Sequence, residues 1–360
     1  MYYYYSTDGT KFTSKIKALE YATLHNQVIN FYYYDDIYSK LNWKEEPCNT
    51  LDYYYLEQAQ RIRDEYDYVI LAFSGGYDSS NILETFYFNN IKIDKIITVG
   101  ALSQDSTTGV DENHNGELYH NVFPYIKELG LESILEVYDY TKYFSNLNNF
   151  SISSYGNDWV DNIGCWYSPH NWFWRDIEKF VVPKAWQNKK VAIVFGKDKP
   201  CLFYGPTGSP STILPSGRAM LNGYQFRDTP VMSYGNSTGL DSCDRINFYW
   251  DPKSPNILLK QLHVLNKVYQ TEYTSNYLPE VGVQVLSGTS IDSIIYNLRR
   301  PILFKSPKSK DNILSLRDKY LTSKKNSDIF DVYSAGLDNI QTRIGLSKLI
   351  AIPSRFYHIR

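Results

Sequence analysis

Cysteine is scarce: four residues in 360, at Cys48, Cys165, Cys201 and Cys243, with no C-x-x-C pair among them. That isolation argues against a zinc knuckle or a dithiol redox centre and fits reduced thiols in a cytoplasm. Long apolar runs are missing as well. The longest are of strand length, well short of the roughly 20 residues that cross a bilayer, so no membrane partner is expected. No basic start followed by an apolar stretch marks a signal peptide at the N-terminus. Charge of one sign is not in excess either. Lys and Arg number 37 against 39 Asp and Glu, for a net −2, which gives no sign of a general nucleic-acid-binding surface and leaves only a local patch as an option. What is abundant is tyrosine, 34 residues including the tract Tyr2–Tyr5, alongside many Asn and Lys. This reads as the coding bias of an AT-rich genome rather than as a stacking surface.

A chain of this length buries one large core or two moderate ones. Residues 1–66 read as a helical preface, with helical periodicity in "KIKALEYATLH" and "LDYYYLEQAQRIRDEY". From 67 to 200, strands and helices alternate. "YDYVILAF" leads to a helix through about Asn89, "IDKIITVGAL" is a second strand, "GELYHNVFPYIKELG" a helix, "SILEVYDY" a third strand and "KKVAIVFGKDKP" a fourth. The alternation predicts an α/β domain with a doubly wound parallel sheet. Residues 201–360 open on the Gly-, Pro- and Ser-rich "YGPTGSPSTILPSG" and continue as a mainly helical C-terminal region, expected to select the substrate.

The chemistry concentrates where the first of these strands stops. Tyr68 to Phe73 is uninterrupted and apolar, as in a strand buried on both faces, and "SGGYDSSNIL" follows it directly. Ile82, Leu83, Phe86 and Tyr87 then recur at helical spacing, so the glycines lie between a strand and a helix N-terminus, where free N–H groups favour an anion. Neither G-x-x-x-x-G-K-[ST] nor G-x-G-x-x-G is present, which removes the Walker loop and the dinucleotide fingerprint. A nucleophile elbow would need glycine at Ala72. What remains is Ser74, Gly75, Gly76, Asp78, Ser79 and Ser80, a set suited to pyrophosphate: glycines for close approach, hydroxyls as donors, and an acid that needs a divalent cation between itself and phosphate.

S-G-G-x-D-S after a buried strand resembles the pyrophosphate loop of the PP-loop ATP pyrophosphatases, and within them the synthetase domains of asparagine synthetase and β-lactam synthetase. The resemblance implies an adenine-nucleotide α-hydrolase-like fold, ATP and Mg2+ as cofactors, and cleavage of ATP between its α and β phosphates. It implies that Asp198, in "FGKDKP" after Gly196, joins Asp78 on magnesium, although Lys199 stands where an acid is usual. It further implies backbone contacts to adenine from Val99, Gly100 and Ala101, and a C-terminal catalytic lysine, for which Lys305 and Lys308 in "RRPILFKSPKSK" are the candidates. A surface charge run is the ordinary reading of that last segment, as a solvated loop carboxylate is of Asp198. "DENHNGE" reads as a polar loop rather than a metal site, with Glu117 as a residue that would face substrate; Trp166, Trp172 and Trp174 read as core.

The expected reaction is adenylation of a small-molecule carboxylate, followed by attack of an amine or ammonia to give an amide. Met1-Tyr2 offers no catalytic cysteine of the glutamine-using type, so nitrogen would come from free ammonia, a substrate amine or a separate donor protein. The ending "SRFYHIR" and the Tyr/Asn/Lys-rich composition resemble PP-loop proteins of large bacteriophages, which would place the chain in a host cytoplasm. Two alternatives stay open: an RNA-modifying enzyme using the same loop, as in lysidine synthetases and thiouridylases, and a non-catalytic adenine-nucleotide-binding protein.

Overall fold

The computed structural model describes residues 3–100, 102, 115–139, 160–161, 177–186, 188–196, 202–204, 221–224, 243–268, 327–345, 348, 352, 354–355 and 357–359. The chain opens on three short strands, β1 (Tyr4–Ser6), β2 (Lys11–Phe12) and β3 (Ile29–Phe31), forming an antiparallel sheet with β1 in the middle. The preface expected to be helical thus also carries a sheet. The cause lies in the tyrosines: they alternate as strand residues do, Tyr4 fully buried and Tyr3 stacked on Tyr32 with ring centroids 4.9 Å apart.

Helix α1 (Lys15–His25), the short α2 (Asp35–Tyr38) and α3 (Leu51–Glu65) follow. α1 covers "KIKALEYATLH" and α3 covers all but the last residue of the second periodic stretch. Both start on side-chain caps: Ser14 accepts from the Lys17 N–H and Thr50 from the Tyr53 N–H. Caps of this kind each contribute about 1 kcal/mol.

The core is a five-stranded, all-parallel sheet flanked by helices. In chain order it comprises β4 (Tyr68–Ala72), α4 (Tyr77–Phe88), β5 (Lys95–Gly100), α5 (Phe123–Glu128), β6 (Leu135–Asp139), α6 (Glu178–Val181) and β7 (Val191–Phe195). Next come β8 (Leu202–Tyr204), β9 (Leu221–Tyr224), β10 (Cys243–Asn247), α7 (Pro255–Val268), α8 (Ser327–Arg343) and β11 (Tyr357–His358). Spatial order in the main sheet is β10-β7-β4-β5-β6. β4 therefore sits in the centre: the chain builds outward through β5 and β6, then returns to β4's other side for β7 and β10. The order reverses between β4 and β7.

Alternate residues of β4 face opposite ways. Val69 and Leu71 join Ala192 and Val194 of β7 in the main apolar cluster, with Ile82, Leu83 and Phe86 of α4 and Tyr55, Ala59 and Ile62 of α3. On the other face Ile70, Ile97 and Ile193 are equally buried. Burial on both faces is why the run Tyr68–Phe73 has no polar interruption.

The region after residue 200, expected to be mainly helical, supplies α7 and α8 but also the edge strand β10 and the small antiparallel sheet β11-β9-β8. Residues just after β10 then bind the rest together. The Phe248 N–H donates to Phe195 O at 3.0 Å, and the Tyr38 hydroxyl donates to Trp250 O at 2.7 Å. The Asp251 carboxylate accepts from Arg61 and, at 3.2 Å, from Gln58 Nε2. Trp43 stacks on Tyr357 at 4.2 Å, and the Tyr33 hydroxyl donates to Ile352 O. Among the described residues, no helix is long and apolar enough to cross a membrane.

Candidate functional site

α4 starts differently from α1 and α3. Its N-cap is Gly76, which has no side chain to accept a first-turn N–H. A helix start without a side-chain cap at the end of a parallel strand is suited to an anionic acceptor. The preceding Gly75 has φ +70°, and a Cβ there would stand 2.7 Å from Asn121 Cβ and 3.1 Å from the Val122 nitrogen. Only glycine satisfies both the dihedral and the space.

The three serines of the loop divide their work. Ser79 is buried; its hydroxyl accepts from the Ser74 N–H at 3.2 Å and donates to Gly76 O at 3.1 Å. It holds the turn closed. Ser80 is buried within the first turn of α4, whereas Ser74 is exposed at the strand end, where its Oγ also accepts from the Gly76 N–H at 3.3 Å. Asp78 occupies the first turn of α4, with one carboxylate oxygen, Oδ1, buried.

Gly196 follows β7 directly, on the far side of the reversal in strand order. A Cβ at that position would lie 2.9 Å from both the Asp78 carbonyl carbon and the Ser79 nitrogen. The first turn of α4 thus rests on the end of β7, and glycine is what lets the two backbones meet. In open parallel sheets this is where ligands bind, because loops from the strands on either side part there.

On the other flank β5 outruns β4. The last paired residues are Ala72 and Ile97, after which the Phe73 N–H donates to Ile97 O at 2.8 Å. β5 continues through Thr98, Val99 and Gly100, paired with β6 at Val137, Tyr138 and Asp139. Ile97 O faces β4, so by strand alternation the Val99 N–H and C=O face the same side, beyond the point where β4 has turned away at Ser74. Gly100 is tightly packed: a Cβ would meet Leu118 Cδ2 at 3.0 Å and Asn115 Oδ1 at 3.1 Å.

Ser74, Gly75, Gly76, Asp78, Ser79, Ser80 and Gly196 are therefore brought together at one end of the sheet, with Val99 and Gly100 on the adjacent strand end. Ala101, Asp198, Lys199, Lys305 and Lys308 lie outside the described residues, as do His114, Trp166, Trp172 and Trp174. Glu117 is half-buried at the start of the helical segment that leads to α5, and His120 is exposed on it.

A group that sequence reasoning missed sits beneath the loop. The Tyr249 hydroxyl donates to Asp78 O at 2.7 Å and accepts from Asn81 Nδ2 at 3.1 Å. Its ring is wholly buried, edge-on to Tyr55 at 5.7 Å. Burial first, and then the Asp78 charge, push this phenol well above its ordinary pKa, so it stays protonated as a donor. The aromatic "FYW" before Asp251 was visible in the sequence; its position under α4 was not.

A groove of about 520 Å³ runs along α4, bordered by Asp52 and Tyr55 of α3, Asn81, Glu84 and Phe88 of α4, and Tyr125 and Glu128 of α5. Its carboxylates repel phosphate, so it is not suited to an anionic ligand. Among the described residues no group of three or more His, Cys, Asp or Glu side chains forms a metal cage. Magnesium carried with a polyphosphate does not require one, since one or two carboxylates and the phosphate oxygens suffice. The glycine cradle at Gly75 and Gly196, the helix start without a side-chain cap and the acid Asp78 fit such a ligand. No protein-family profile and no curated protein matches the chain.

Proposed function

We propose that this chain is an ATP-dependent, AMP-forming synthetase built on a doubly wound, adenine-nucleotide α-hydrolase-like core. The observation that carries the reading is the Ser74-Gly75-Gly76 turn leading into α4, whose first turn rests on Gly196, at the reversal of strand order between β4 and β7. In this reading the exposed Ser74 hydroxyl and the start of α4 receive the β and γ phosphates, and Ser79 keeps the turn in shape. Asp78, joined by Asp198, would hold Mg2+, which supplies neutralising charge on the phosphates. The Val99 peptide groups, extending past β4, meet the adenine edge, together with Gly100 and Ala101.

A carboxylate substrate attacks the α-phosphorus, pyrophosphate departs over the loop, and an amine or ammonia then displaces AMP to give the amide. Positioning and charge neutralisation supply the catalysis, with Lys305 or Lys308 against the developing phosphate charge. No protein nucleophile takes part. A second reading, a non-catalytic adenine-nucleotide-binding protein, is favoured by one feature: Lys199 beside Asp198, where the synthetases carry an acid.

Incubating the protein with Mg-ATP and pools of carboxylates and amines separates the two. AMP and pyrophosphate appearing together support the synthetase. Unchanged ATP with a raised melting temperature supports the binder, and neither effect removes both readings.

A further inference from the structure

The helical segment that leads directly into α5 is not a plain α-helix. Leu118–Val122 form a π-turn, with one residue more per turn than the α-helix that continues from Phe123. Wide turns of this kind are frequent at functional sites; the extra residue rotates side chains out of the α register. This one packs against both strand ends of the candidate site. Leu118 lies against Gly100, while Asn121 and Val122 lie against Gly75, close enough that any Cβ on Gly75 would collide with Asn121 Cβ at 2.7 Å.

Asn121 carries an anomaly. Its side-chain nitrogen Nδ2 is buried and has no hydrogen-bond partner. A buried amide donor left unmatched is destabilising, and native proteins keep few of them. Asn121 as a whole is half-buried, but a packing role at this atom would be filled more stably by an apolar side chain of the same size. The side chain that carries this donor leaves the backbone beside Gly75, at the turn that the proposed function assigns to phosphate. A neutral amide suits this place, because it donates to an anion without neutralising the charge of Asp78 or competing for its cation.

We propose that Asn121 is a phosphate-binding residue of this site, its amide donating to an oxygen of the polyphosphate held over Ser74, Gly75 and Gly76. The inference rests on the nucleotide-binding reading and extends it to a residue outside the loop motif. The π-turn then has a purpose: it turns Asn121 toward Gly75 while leaving Leu118 and Val122 in the apolar cluster.

The test compares wild type with Asn121→Leu, which conserves volume, and Asn121→Ala, which fits even if leucine crowds Gly75. Isothermal titration measures Mg-ATP, Mg-pyrophosphate and adenosine on the full chain, and a thermal melt is recorded without ligand. The expected result is a loss of about 10- to 100-fold in affinity for Mg-ATP and Mg-pyrophosphate, the equivalent of one hydrogen bond to a charged acceptor. Adenosine affinity stays unchanged, and the ligand-free melting temperature of Asn121→Leu is equal to or above that of wild type. A purely structural Asn121 gives the reverse: a lowered melting temperature with phosphate affinity intact. Wild-type affinity for pyrophosphate in both variants overturns the assignment of Asn121 and leaves the nucleotide reading standing. A wild-type protein that binds neither Mg-ATP nor Mg-pyrophosphate overturns both.

Discussion

Replacing Gly196 by alanine would set a methyl carbon 2.9 Å from the Asp78 carbonyl carbon and the Ser79 nitrogen, and 3.1 Å from Ile82 Cδ1. Ordinary contact begins near 3.4 Å, so relief needs a displacement of about half an ångström. Two of the three neighbours are backbone atoms of a helix, which have no rotamer to change. Either α4 slides along the sheet or the end of β7 bends. Overpacking of this kind costs about 1–3 kcal/mol, a fall of a few degrees in melting temperature. The displacement lands on the first turn of α4, which carries Asp78, so the dissociation constant for Mg-ATP should rise about tenfold, near 1.4 kcal/mol. Gly130→Ala is the matched control. It also imposes strain, at φ +67°, but nothing stands within 4 Å of its Cβ, so it should lower stability by about 1–2 kcal/mol and leave nucleotide affinity unchanged. Both variants are measured by calorimetric titration and differential scanning. Wild-type affinity in a stably folded Gly196→Ala would refute the claim that the meeting of β7 with α4 shapes the site.

Further expectations follow from other contacts. Asp78→Asn preserves shape and removes charge; Mg-ATP affinity should fall at least tenfold and pyrophosphate release should stop, while the ligand-free melting temperature holds or rises, and full turnover by this variant would sink the mechanism. ATP should protect against thermal unfolding more than GTP, because the proposed base contacts are the peptide groups at Val99–Ala101; equal protection removes the adenine assignment. Asp94 is buried, which alone would raise its carboxyl, yet the ion pairs and hydrogen bonds from Lys92 and Arg63 and the Val69 N–H outweigh burial and hold it below the usual range. A carboxyl depressed in the folded state contributes stability above its unfolded pKa and loses it as pH falls through the folded one, so Asp94→Asn should lower stability at neutral pH and flatten the loss below about pH 4 in a denaturant titration series. An unchanged acid limb in that variant would contradict the pairing. Tyr249→Phe removes the hydroxyl that bridges Asn81 and Asp78 O, and leaves a buried amide unmatched. It should cost about 1–3 kcal/mol in urea unfolding, and no measurable loss would show that the bridge is idle.

Local signals carried the central elements and failed at the edges. β4 and α4 were legible because an unbroken apolar run gives way to helical spacing across two glycines, and α1 and α3 because each has a full periodic stretch and a capping Ser14 or Thr50. β10 was not legible. "CDRIN" buries Cys243 and Ile246 but exposes Asp244, and its partner β7 is far away in the sequence. An edge strand needs only one well-covered face, so its composition stays close to that of a loop. The N-terminal sheet was obscured by strands of two or three residues and by a tyrosine tract whose alternation looks the same whether or not it folds. At the site, the loop showed its glycines and acid plainly. The roles of Ser79 and Ser74 differ only through hydrogen bonds that form after the turn closes. Tyr249 and Asn121 reach the loop from other segments, and "ELYHNVF" suits an ordinary helix as well as the π-turn it adopts.

The bonds that join the two ends of the chain also bear on how it is made. The Tyr38 hydroxyl waits for Trp250, 212 residues later, and Tyr33 waits for Ile352, 319 residues later. At ribosomal speeds of roughly 5–20 residues per second, the first gap alone lasts roughly 10–40 s. For that interval the emerging aromatic segment of Tyr33, Tyr38 and Trp43 lacks the Trp250, Tyr357 and Ile352 groups that later engage it. The nascent protein should therefore engage holdase chaperones early, and slowing translation between codons 50 and 250 should lower the folded yield rather than improve it. A fragment ending before residue 249 would leave α2 without its Trp250 acceptor, α3 without Asp251 and the Asp78 carbonyl at the start of α4 without the Tyr249 hydroxyl.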